Sequence, residues 1–532
     1  MGEFSRFAIV AQLSKLDGWR RLIVVLVAGG ITALALEPIN FSLGAFVGFT
    51  LFTIMLSASS ATVGKLTKSR LITLALTGWC FGFSYFVTGL WWLGTAMLID
   101  PTEFAWAIPL AIFGLPAFLA LYWALAAVIA GLMWRRGIAG LLGLGFAFGL
   151  CEWLRGVCFT GFPWNSIGYA AMPSPLYMQV AAVLGLYGVN AVAVVVFGSP
   201  SLLLGKKVQW WGVAIISVII IGDIGFGAYR LHQSQYINQN SVNSTWIRLV
   251  QPSIAQTSKL DASARLDNFD KHLTLTAQPP AAGKHWPDLI IWPESAVPYL
   301  LQYVPEAVAR IRAAMRPQQI VLLGAVRLEG GLESANKRYF NTIQAMDWQG
   351  HIFAQSDKRH LVPFGEYLPF GQLLGRLGLK AVADAAGGYS AGQSRHSVKI
   401  SDTLTYLPLI CYEIIFPTDV DYQGPRANFI VNVTNDAWYG VTPGPYQHFQ
   451  QARVRAVELG LPLLRAANNG ISAVVDPYGR IVEQLALNEV GVIDAKLPKV
   501  AVSYWYSQPG NCVFFAILVL LLIKPLSGLK RY

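Results

Sequence analysis

The stretch LPLICYEIIFP, from Leu407 to Pro417, has the composition of a buried β-strand, yet it carries two reactive side chains. Cys411 and Glu413 stand among apolar neighbours. An ionisable group that is buried without a partner costs several kcal/mol, so both positions need a structural or a chemical reason. The reason depends on the part of the chain to which this stretch belongs.

The composition of the whole chain indicates a membrane protein. Of its 532 residues, 54% are hydrophobic and only 13% are charged, and the mean hydropathy is +0.46. Soluble globular chains carry about 25% charged residues. A helix needs about 20 mostly apolar residues to cross a bilayer. The windows that lack Asp, Glu, Lys and Arg are Leu22–Leu36, Ser42–Gly64, Leu71–Ile99, Phe104–Trp134, Gly137–Cys151, Gly156–Gly205, Val208–Gly222 and Val500–Ile523. They predict about eight spans, with a polar turn near Pro163–Pro175 between the fifth and the sixth.

The charges of the loops predict the orientation of these spans. If the spans alternate in direction, one set of loops is basic and the other carries acidic residues or no charge. The basic residues are Arg20, Arg21, Lys65, Lys68, Arg70, Arg135, Arg136, Lys206, Lys207, Lys524, Lys530 and Arg531. Basic loops face the cytoplasm, so we expect both termini inside and the long polar insert outside. A cleaved signal peptide at the first apolar run is an alternative, but seven further spans in register disfavour it.

These patterns predict three regions. Residues 1–235 form a seven-span membrane region, residues 240–499 form a soluble domain on the outer side, and residues 500–532 contain the last span and a cytoplasmic tail. The net charge of +11 follows in part from the basic cytoplasmic loops, so it does not require a nucleic-acid partner.

Cysteine usage singles out one thiol. Cys411 is the only cysteine of the insert, whereas the other four lie in or beside predicted spans. It therefore has no disulfide partner within the insert, and no spacing typical of a zinc site occurs. A small buried hydrophobic residue remains the alternative for such a lone cysteine.

The insert alternates strand patterns with amphipathic helices, as in a layered α/β domain. The predicted strands are Trp246–Gln251, Asp288–Trp292, Gln319–Val326, Arg338–Met346, Tyr406–Cys411, Asn428–Thr434 and Ser472–Asp476, with a further strand in RIVEQL after a turn. The predicted helices are Ser263–Ala277, Pro305–Arg316 and Tyr446–Gly460.

Three strand-end segments carry reactive groups. IIWPESAVP places Glu294 after a strand, and AQSDKRHLVPFGEYLP places Lys358 after another and Glu366 beyond it. LICYEIIFP places Cys411 at the end of a third. Strand ends in α/β domains project side chains into a shared cleft. A carboxylate, an amine and a thiol at such ends predict a nucleophilic site.

These three segments resemble the signature blocks of the nitrilase, or carbon–nitrogen hydrolase, superfamily, whose Glu–Lys–Cys triad sits in an αββα sandwich. Such a domain between the seventh and eighth helices of a polytopic membrane protein resembles the apolipoprotein N-acyltransferase family. The segments that carry the resemblance are EWLRG, TGFPWNSIGY, WPESA, HLVPFGEYLP, ICYEI, NDAWYG, GPYQHFQ and RAANNGIS. The resemblance covers nearly the whole chain and implies a helical membrane bundle joined to an αββα domain.

The resemblance also implies roles for the reactive groups. Cys411 would be the nucleophile and Glu294 the general base that takes its proton. Lys358 would stabilise the oxyanion of the tetrahedral intermediate. The backbone N–H of Tyr412 would be a second donor if the chain turns directly after the cysteine.

Four further residues match supporting positions of the family. Glu366 is expected to orient the triad lysine or to assist proton transfer. Glu413 is expected in a supporting ion pair, with a purely structural role as the alternative. Asn435 and Trp438 are expected to line the cleft, although Trp438 could equally belong to the core.

The reaction implied by the resemblance is a ping-pong acyl transfer. The thiolate would attack the sn-1 ester of a phospholipid, typically phosphatidylethanolamine, and form a thioester. The α-amino group of the diacylglyceryl-cysteine of an apolipoprotein would then take the acyl chain. The resemblance implies a bacterial inner-membrane enzyme with a periplasmic catalytic domain. No metal or organic cofactor is called for, and we expect a monomer.

Other segments are expected to serve this chemistry. Pro369–Tyr389 is apolar and rich in glycine, so we expect it to dip into the outer leaflet, with a surface helix as the alternative. Trp438–His448 has a similar composition. The aromatic residues Tyr504, Trp505 and Tyr506 are expected at the membrane interface. Leu260 stands where many family members have an aromatic residue in a KWD segment, so the acyl or headgroup preference of this chain could differ.

The sequence leaves three rival functions. A membrane-tethered amidase or nitrilase would use the same triad and release its product to water. A thiol–histidine hydrolase would use His360 or His448. A transporter with a periplasmic binding domain would need ionisable groups within its spans; Glu152 and Arg155 lie at i, i+3 and can pair, but no chain of such groups suggests a conduction path.

Overall fold

The computed structural model describes residues 7–60, 67–237, 245–334, 336–367, 369, 388–393, 396–417, 425–501 and 511–526. The chain folds into two compact units. The first comprises Met1–Ser234, Thr442–Leu459 and Ser503–Tyr532, and the second comprises Gln235–Val441 and Gly460–Val502. The helix Pro443–Leu459, which lies within the predicted region 240–499, belongs to the first unit. The three predicted regions themselves stay predictions.

Apolar helices build the first unit. Among the described residues, six helical segments are long and apolar enough to cross a membrane. They are Ser42–Ser60, Lys68–Leu98, Pro101–Leu132, Ile138–Thr160, Ala181–Leu204 and Trp210–Ser234. The main α-helices of these segments are Ser42–Ser60, Lys68–Leu90, Leu115–Leu132, Ile138–Val157, Ala181–Gly198 and Trp210–Ile237, the last of which continues beyond its apolar segment. Two other apolar helices, Gly18–Ala33 and Cys512–Leu526, have 16 and 15 described residues. The membrane-helix class is therefore confirmed, whereas the count of eight spans is not.

A buried ion pair in the helix Ile138–Val157 holds the segment that follows this helix. Glu152 and Arg155 pair at 2.7 Å with both side chains fully buried, as their i, i+3 spacing predicts. The Arg155 guanidinium also donates to the backbone carbonyl of Trp164 at 3.0 Å and to Ser166 Oγ at 3.1 Å. Trp123 Nε1 donates to Glu152 Oε1 at 2.7 Å. Buried charges are tolerated where such partners satisfy them, so this pair fixes the turn that follows the helix Ile138–Val157.

The helix Pro443–Leu459 packs within the first unit through a polar face. Gln447 Oε1 accepts hydrogen bonds from the indole nitrogens of Trp92 and Trp164, each at 3.1 Å. The His448 ring lies 5.1 Å from the Trp164 ring, and Glu458 Oε1 accepts from the Leu186 backbone N–H at 2.5 Å. The sequence predicts a helix at Tyr446–Gly460, so its position in the chain is confirmed, while its start is three residues earlier.

Among the described residues, the second unit contains two six-stranded sheets. The strands of the first sheet are β1 Trp246–Gln251, β2 Leu289–Ile291, β3 Ile320–Glu329, β4 Arg338–Asp347, β5 Ile352–Asp357 and β12 Gly491–Lys496. Those of the second are β6 Val398–Lys399, β7 Thr405–Pro408, β8 Phe429–Thr434, β9 Leu463–Ala467, β10 Ser472–Val475 and β11 Ile481–Leu485. The strand orders are β12-β1-β2-β3-β4-β5 and β11-β10-β9-β8-β7-β6. The described helices of this unit include Gln256–Leu260, Arg265–Ala277 and Pro305–Ala314.

Apolar layers hold the second unit together. One layer contains buried residues of both sheets, among them Leu249 and Ile291 of the first and Val431 and Leu464 of the second. Another layer lies on the opposite face of the first sheet, where Phe269 of the helix Arg265–Ala277 joins the strand residues. Burial on both faces explains why the strands read as continuous apolar runs. The layered α/β fold predicted from the sequence is confirmed.

Candidate active site

Three strand ends meet at one edge of the second unit. Strands β1, β2 and β3 are parallel, β4 is antiparallel to β3, and β5 is antiparallel to β4. Strand β5 therefore runs in the same direction as β2, and both end at the same edge of their sheet. Glu294 follows β2 and Lys358 follows β5, while Cys411 follows β7 of the other sheet. The pairing within the first sheet thus brings Glu294 and Lys358 to the same edge. Cys411 lies in the apolar layer that contains buried residues of both sheets.

The backbone turns sharply at Cys411. Its φ of +51° is left-handed, which is uncommon for a residue other than glycine, and a 3₁₀-helix runs from it to Ile415. Such conformations persist where the surrounding structure enforces them, and they cluster at functional sites. The side chain is 6% exposed. Its sulfur lies 3.2 Å from Thr434 Oγ1, and its thiol forms a hydrogen bond with the Glu294 carboxylate.

The carboxylate of Glu294 contacts several polar groups. Its Oε1 accepts from Asn341 Nδ2 at 2.8 Å and lies 3.3 Å from Lys358 Nζ. Its Oε2 accepts from the backbone N–H of Asn435 at 3.0 Å. The thiol of Cys411 is a further partner. These contacts fix both carboxylate oxygens, so the group is held ready to exchange a proton with the sulfur.

Lys358 is buried between two carboxylates. Its Nζ lies 2.8 Å from Glu366 Oε1 and 3.3 Å from Glu294 Oε1, and the side chain is 1% exposed. Glu366 is in turn fixed by the Val362 backbone N–H, which donates to its Oε2 at 2.8 Å. Asn341 Nδ2 lies 3.2 Å from Glu366 Oε1 and so bridges the two acids.

Electrostatics assign the resting protonation states. Burial pushes the pKa of Glu294 up, but Lys358, the hydrogen bonds from Cys411 and Asn341, and Lys259 outweigh it, so that this pKa is lowered. Burial and then the charge of Glu294 raise the pKa of Cys411. The pKa of Lys358 is raised well above its ordinary value, because Glu366, Glu294 and Cys411 together outweigh the effect of burial. The resting site therefore holds a thiol, a carboxylate and an ammonium group.

Glu413 ties two segments of the candidate site together. Its Oε1 accepts from the backbone N–H groups of Arg359 and His360 at 2.9 and 3.0 Å. Its Oε2 accepts from the backbone N–H of Ile410 at 2.7 Å. The carboxylate thus holds the residues after Lys358 against the residue before the nucleophile. These contacts are to main-chain amides, whereas the predicted ion pair stays a prediction.

Asn435 and Trp438 lie on the segment that follows β8. Asn435 is buried. Its Nδ2 donates to Gln256 Oε1 at 2.8 Å, and its Oδ1 accepts from Asn468 Nδ2 at 2.9 Å. Trp438 is 39% exposed, so its assignment to the core is wrong. The place of Trp438 in the cleft stays a prediction. The role of the Tyr412 N–H as an oxyanion donor also stays a prediction. That role requires the chain to turn directly after Cys411, and the structure has this turn.

The two histidines of the rival hydrolase pack against aromatic rings. The His360 ring is stacked on Phe416 with 3.7 Å between centroids, and His448 packs on Trp164 in the other unit. The acid–base partner that the structure gives the Cys411 thiol is a carboxylate. This arrangement favours the Glu–Lys–Cys set over a thiol–histidine pair.

Several polar residues of the site are not predicted by the sequence pattern. Asn341 lies inside β4 and Thr434 at the end of β8, so their contacts depend on cross-strand geometry that no local motif encodes. Thr434 Oγ1 also lies 3.0 Å from Asp436 Oδ1, whose other oxygen pairs with Arg465 at 2.8 Å. The signal available in the sequence was a polar side chain within an otherwise apolar strand, because a buried polar group needs a partner.

Some predictions concern residues outside the described part of the chain. Of the segment Pro369–Tyr389, only Pro369, Gly388 and Tyr389 are described, and Tyr504, Trp505 and Tyr506 are not. Leu260 is described and is 65% exposed. Within the described residues, no cluster of three or more His, Cys, Asp or Glu side chains could hold a metal ion.

Two family models match the chain. The Carbon-nitrogen hydrolase model matches residues 247–506, and that of the Apolipoprotein N-acyltransferase N-terminal domain matches residues 28–199. The apolipoprotein N-acyltransferase of Brucella melitensis biotype 1 is 48% identical over 524 residues, which cover 98% of each chain. The chain belongs to the apolipoprotein N-acyltransferase family. A second member, from Allorhizobium ampelinum, is 45% identical over 514 residues and 97% of each chain.

Solved structures give a more distant likeness. The NitN amidase from Neterenkonia sp. AN1 is 21% identical, with a TM-score of 0.33, over 48% of this chain and 93% of that chain. Membership of the apolipoprotein N-acyltransferase family confirms the resemblance that the sequence motifs carry. The family and the apolar helices together identify a multi-pass membrane acyltransferase with a carbon–nitrogen hydrolase domain.

Proposed function

We propose that this protein moves a fatty acyl chain from the sn-1 position of a membrane phospholipid to an apolipoprotein. The acceptor is the α-amino group of the diacylglyceryl-cysteine at the N-terminus of the apolipoprotein. Cys411 carries the chain between the two substrates as a thioester, Glu294 is the general acid and base, and Lys358 stabilises the oxyanion. Phosphatidylethanolamine is the proposed donor.

One observation carries this proposal: the Cys411 thiol is hydrogen-bonded to a carboxylate that itself lies 3.3 Å from a buried ammonium group. A thiol of raised pKa is a weak nucleophile until a base removes its proton. Glu294 is ionised and within reach, so it can take the proton as the carbon–sulfur bond forms. The ammonium of Lys358 remains charged and can balance the negative charge that develops.

In the first half-reaction, Glu294 takes the thiol proton and the sulfur attacks the ester carbonyl carbon. The carbonyl oxygen becomes an oxyanion, which Lys358 and the Tyr412 N–H stabilise. The carbon–oxygen bond then breaks, and the departing alkoxide of the lysophospholipid takes its proton from Glu294. A thioester remains on Cys411, and the carboxylate is again ionised.

In the second half-reaction, the free amine of the diacylated cysteine attacks the thioester carbonyl. Glu294 takes a proton from the attacking nitrogen, and the sulfur leaves as the amide forms. The proton then returns to the thiolate. A thioester is more reactive toward amines than an oxygen ester, so the covalent intermediate lowers the barrier to amide formation.

The surrounding residues have supporting roles. Glu366 orients Lys358, since it holds the ammonium at 2.8 Å while its other oxygen is bound to a backbone N–H. Asn341 bridges the two carboxylates by donating from its Nδ2 to both. Glu413 holds the segments of Lys358 and Cys411 in register, and Asn435 and Trp438 contribute to the cleft.

The proposed location is the bacterial inner membrane, with the catalytic domain of residues 240–499 in the periplasm and both termini in the cytoplasm. This arrangement places the site on the side where exported apolipoproteins arrive. Both substrates are anchored in lipid, so a membrane-bound enzyme meets them in the same layer. The basic loops support the orientation through the positive-inside rule.

The decisive experiment follows the fate of the acyl chain. The purified protein in detergent is given phosphatidylethanolamine labelled in the sn-1 chain, together with a peptide that bears an N-terminal diacylglyceryl-cysteine. We expect label in an amide of the peptide, and a loss of at least about 10³-fold in Cys411→Ala. The matched control is Lys284→Met, which removes a partly exposed lysine paired with Glu483. Label that appears only as free fatty acid would instead establish a hydrolase.

A further inference from the structure

A second lysine reaches the catalytic acid from another element. Lys259 lies on the short helix Gln256–Leu260, and its Nζ donates to the backbone carbonyl of Glu294 at 3.0 Å. That main chain is itself fixed, because the next residue but one, Ala296, donates its N–H to the carbonyl of Gly324 at 2.8 Å. The ammonium of Lys259 is therefore placed beside Glu294 by its contact with the main chain.

The helix that carries Lys259 is anchored to the same site. Gln256, at its start, accepts a hydrogen bond from the side chain of Asn435 at 2.8 Å. The backbone N–H of Asn435 donates to Glu294 Oε2 at 3.0 Å. Asn468 fixes the chain just before the helix, since its side chain bonds both the N–H and the carbonyl of Ile254. The position of Lys259 is thus set by the network that also positions the base.

The charges at the site leave a role for a second cation. Glu294 and Glu366 share the single ammonium of Lys358. Removing the proton from Cys411 moves negative charge onto the sulfur and then onto the oxyanion of the bound ester. Lys259 attracts both Glu294 and Cys411 electrostatically, so it can offset this charge.

We infer that Lys259 is a positioning residue of the acyl transfer: its ammonium group holds the Glu294 main chain and stabilises the ionised state of Cys411. It acts through these two residues and not by contact with substrate. The inference rests on the proposed function only in its use of Cys411 as the nucleophile.

The titratable groups that face Lys259 make its effect depend on pH. They are Glu294 and Cys411, together with His272 on the helix Arg265–Ala277. Burial, with Lys259 and Lys271, lowers the pKa of His272 to about 3, so this imidazole stays neutral near pH 7. Burial lowers the pKa of Lys259 to about 8, against the opposing effects of Glu294 and Cys411. Lys259 is therefore charged at pH 7 and loses its charge as the pH rises through about 8.

The test measures the reactivity of Cys411 without any lipid substrate. The purified full-length protein is treated with iodoacetamide between pH 6 and pH 9.5, and the alkylation of Cys411 is followed by peptide mass spectrometry. The variants are Lys259→Met, which removes the charge, and Lys259→Arg, which keeps it. Lys284→Met is the matched control, because it removes a lysine cation that is paired with Glu483.

We expect alkylation of Cys411 in Lys259→Met to be about tenfold slower than in the wild type at pH 7, since loss of a nearby cation raises a thiol pKa by about one unit or more. This difference shrinks above pH 8, where the wild-type lysine is itself neutral. Lys259→Arg stays within about threefold of the wild type at pH 7 and, unlike the wild type, keeps its advantage over Lys259→Met at high pH.

Two outcomes would overturn the inference. Identical alkylation profiles for the wild type and Lys259→Met would show that this cation does not act on the sulfur. Equal slowing in Lys259→Met and Lys259→Arg, at every pH, would show that only the packing of the helix matters. Neither outcome bears on whether an acyl chain reaches an amine, so failure of this inference is distinct from failure of the proposed function.

Discussion

At the scale of single residues, the candidate site at rest keeps the proton on the sulfur. The pKa of Cys411 is raised by burial and by Glu294, so the thiolate is disfavoured at rest. Glu294 is ionised and hydrogen-bonded to the thiol, and it can accept the proton only as new bonds form. A sulfur that is neutral at rest is protected from oxidation, since reactivity follows thiolate character.

Lys358→Met tests the part of the site that receives negative charge. The variant keeps the length of the side chain and removes the only described cation that contacts both Glu294 and Glu366. We expect the rate of acyl-enzyme formation in a single turnover to fall by about 10²–10³-fold, the usual loss when an oxyanion donor is removed. Lys284→Met serves again as the control. A change of less than about threefold in Lys358→Met would contradict the assigned role.

Local motifs predict some of these residues and not others. Glu294, Lys358 and Cys411 lie within three residues of a strand end, in segments that match a known family, so the sequence singles them out. Asn341 and Lys259 give no such signal. Their contacts arise because β4 lies beside β5 and because a short helix returns to the turn after β2, and neither relation can be inferred from neighbouring residues.

At the scale of elements, the position of Glu294 depends on a close approach between a strand and a turn. Gly324 lies in β3, and a Cβ atom added there would come within 2.0 Å of the Pro293 carbonyl oxygen and 2.8 Å of Glu294 Cα. The absence of a side chain thus lets the turn with the base lie directly against β3.

Gly324→Ala should therefore displace the base. Overpacking of this kind costs about 1–3 kcal/mol of stability. A shift of about 1 Å in a catalytic group can lower the rate by about 10²-fold. We expect acyl transfer in Gly324→Ala to fall by that factor, in excess of any loss of folded protein measured by thermal unfolding in detergent.

The matched control is Gly491→Ala in β12, where the nearest atom to an added Cβ is Leu485 Cδ2 at 3.5 Å, an ordinary contact. Activity in this variant should remain close to that of the wild type. Equal activities in Gly324→Ala and Gly491→Ala would contradict the account of how the turn is placed.

Two strands that the sequence pattern does not predict contain buried ions. Strand β9 includes Arg465, which pairs with Asp436, and β12 includes Asp494, which pairs with Arg248 at 2.7 Å. A charged residue interrupts the apolar pattern by which a buried strand is recognised, although β1 is predicted despite containing Arg248. The pairing partner that makes such a residue tolerable lies elsewhere in the chain, so the sequence alone does not supply it.

At the scale of the whole molecule, the helix Pro443–Leu459 belongs to two descriptions at once. It lies within the residues that match the Carbon-nitrogen hydrolase model, and it packs with the apolar helices of the first unit. Gln447 contributes to this packing by accepting hydrogen bonds from two indole nitrogens. The apolar windows located each long helix of the first unit, since about 20 apolar residues leave few alternatives.

The proposed orientation predicts opposite accessibility for two lysines. Lys284 is in the soluble insert and Lys207 is in a basic loop between predicted spans. With the exposed Cys512 replaced by serine, a membrane-impermeant maleimide applied to spheroplasts should label Lys284→Cys, but Lys207→Cys only after lysis. The Cys512→Ser protein without an added cysteine gives the background labelling. Labelling of Lys207→Cys in sealed cells, with protection of Lys284→Cys, would reverse the orientation.

The central claim is that Cys411 carries an acyl chain, and the most direct measurement is the intact mass of the protein purified from its own membranes. The account predicts a mass increase of one fatty acyl group, mapped to Cys411 by peptide analysis and removed by a diacylated N-terminal cysteine peptide. Cys411→Ser should not form an adduct that an amine can discharge. An active wild-type protein whose label maps to another residue, or whose Cys411 stays unmodified with donor phospholipid present and acceptor absent, would contradict the account.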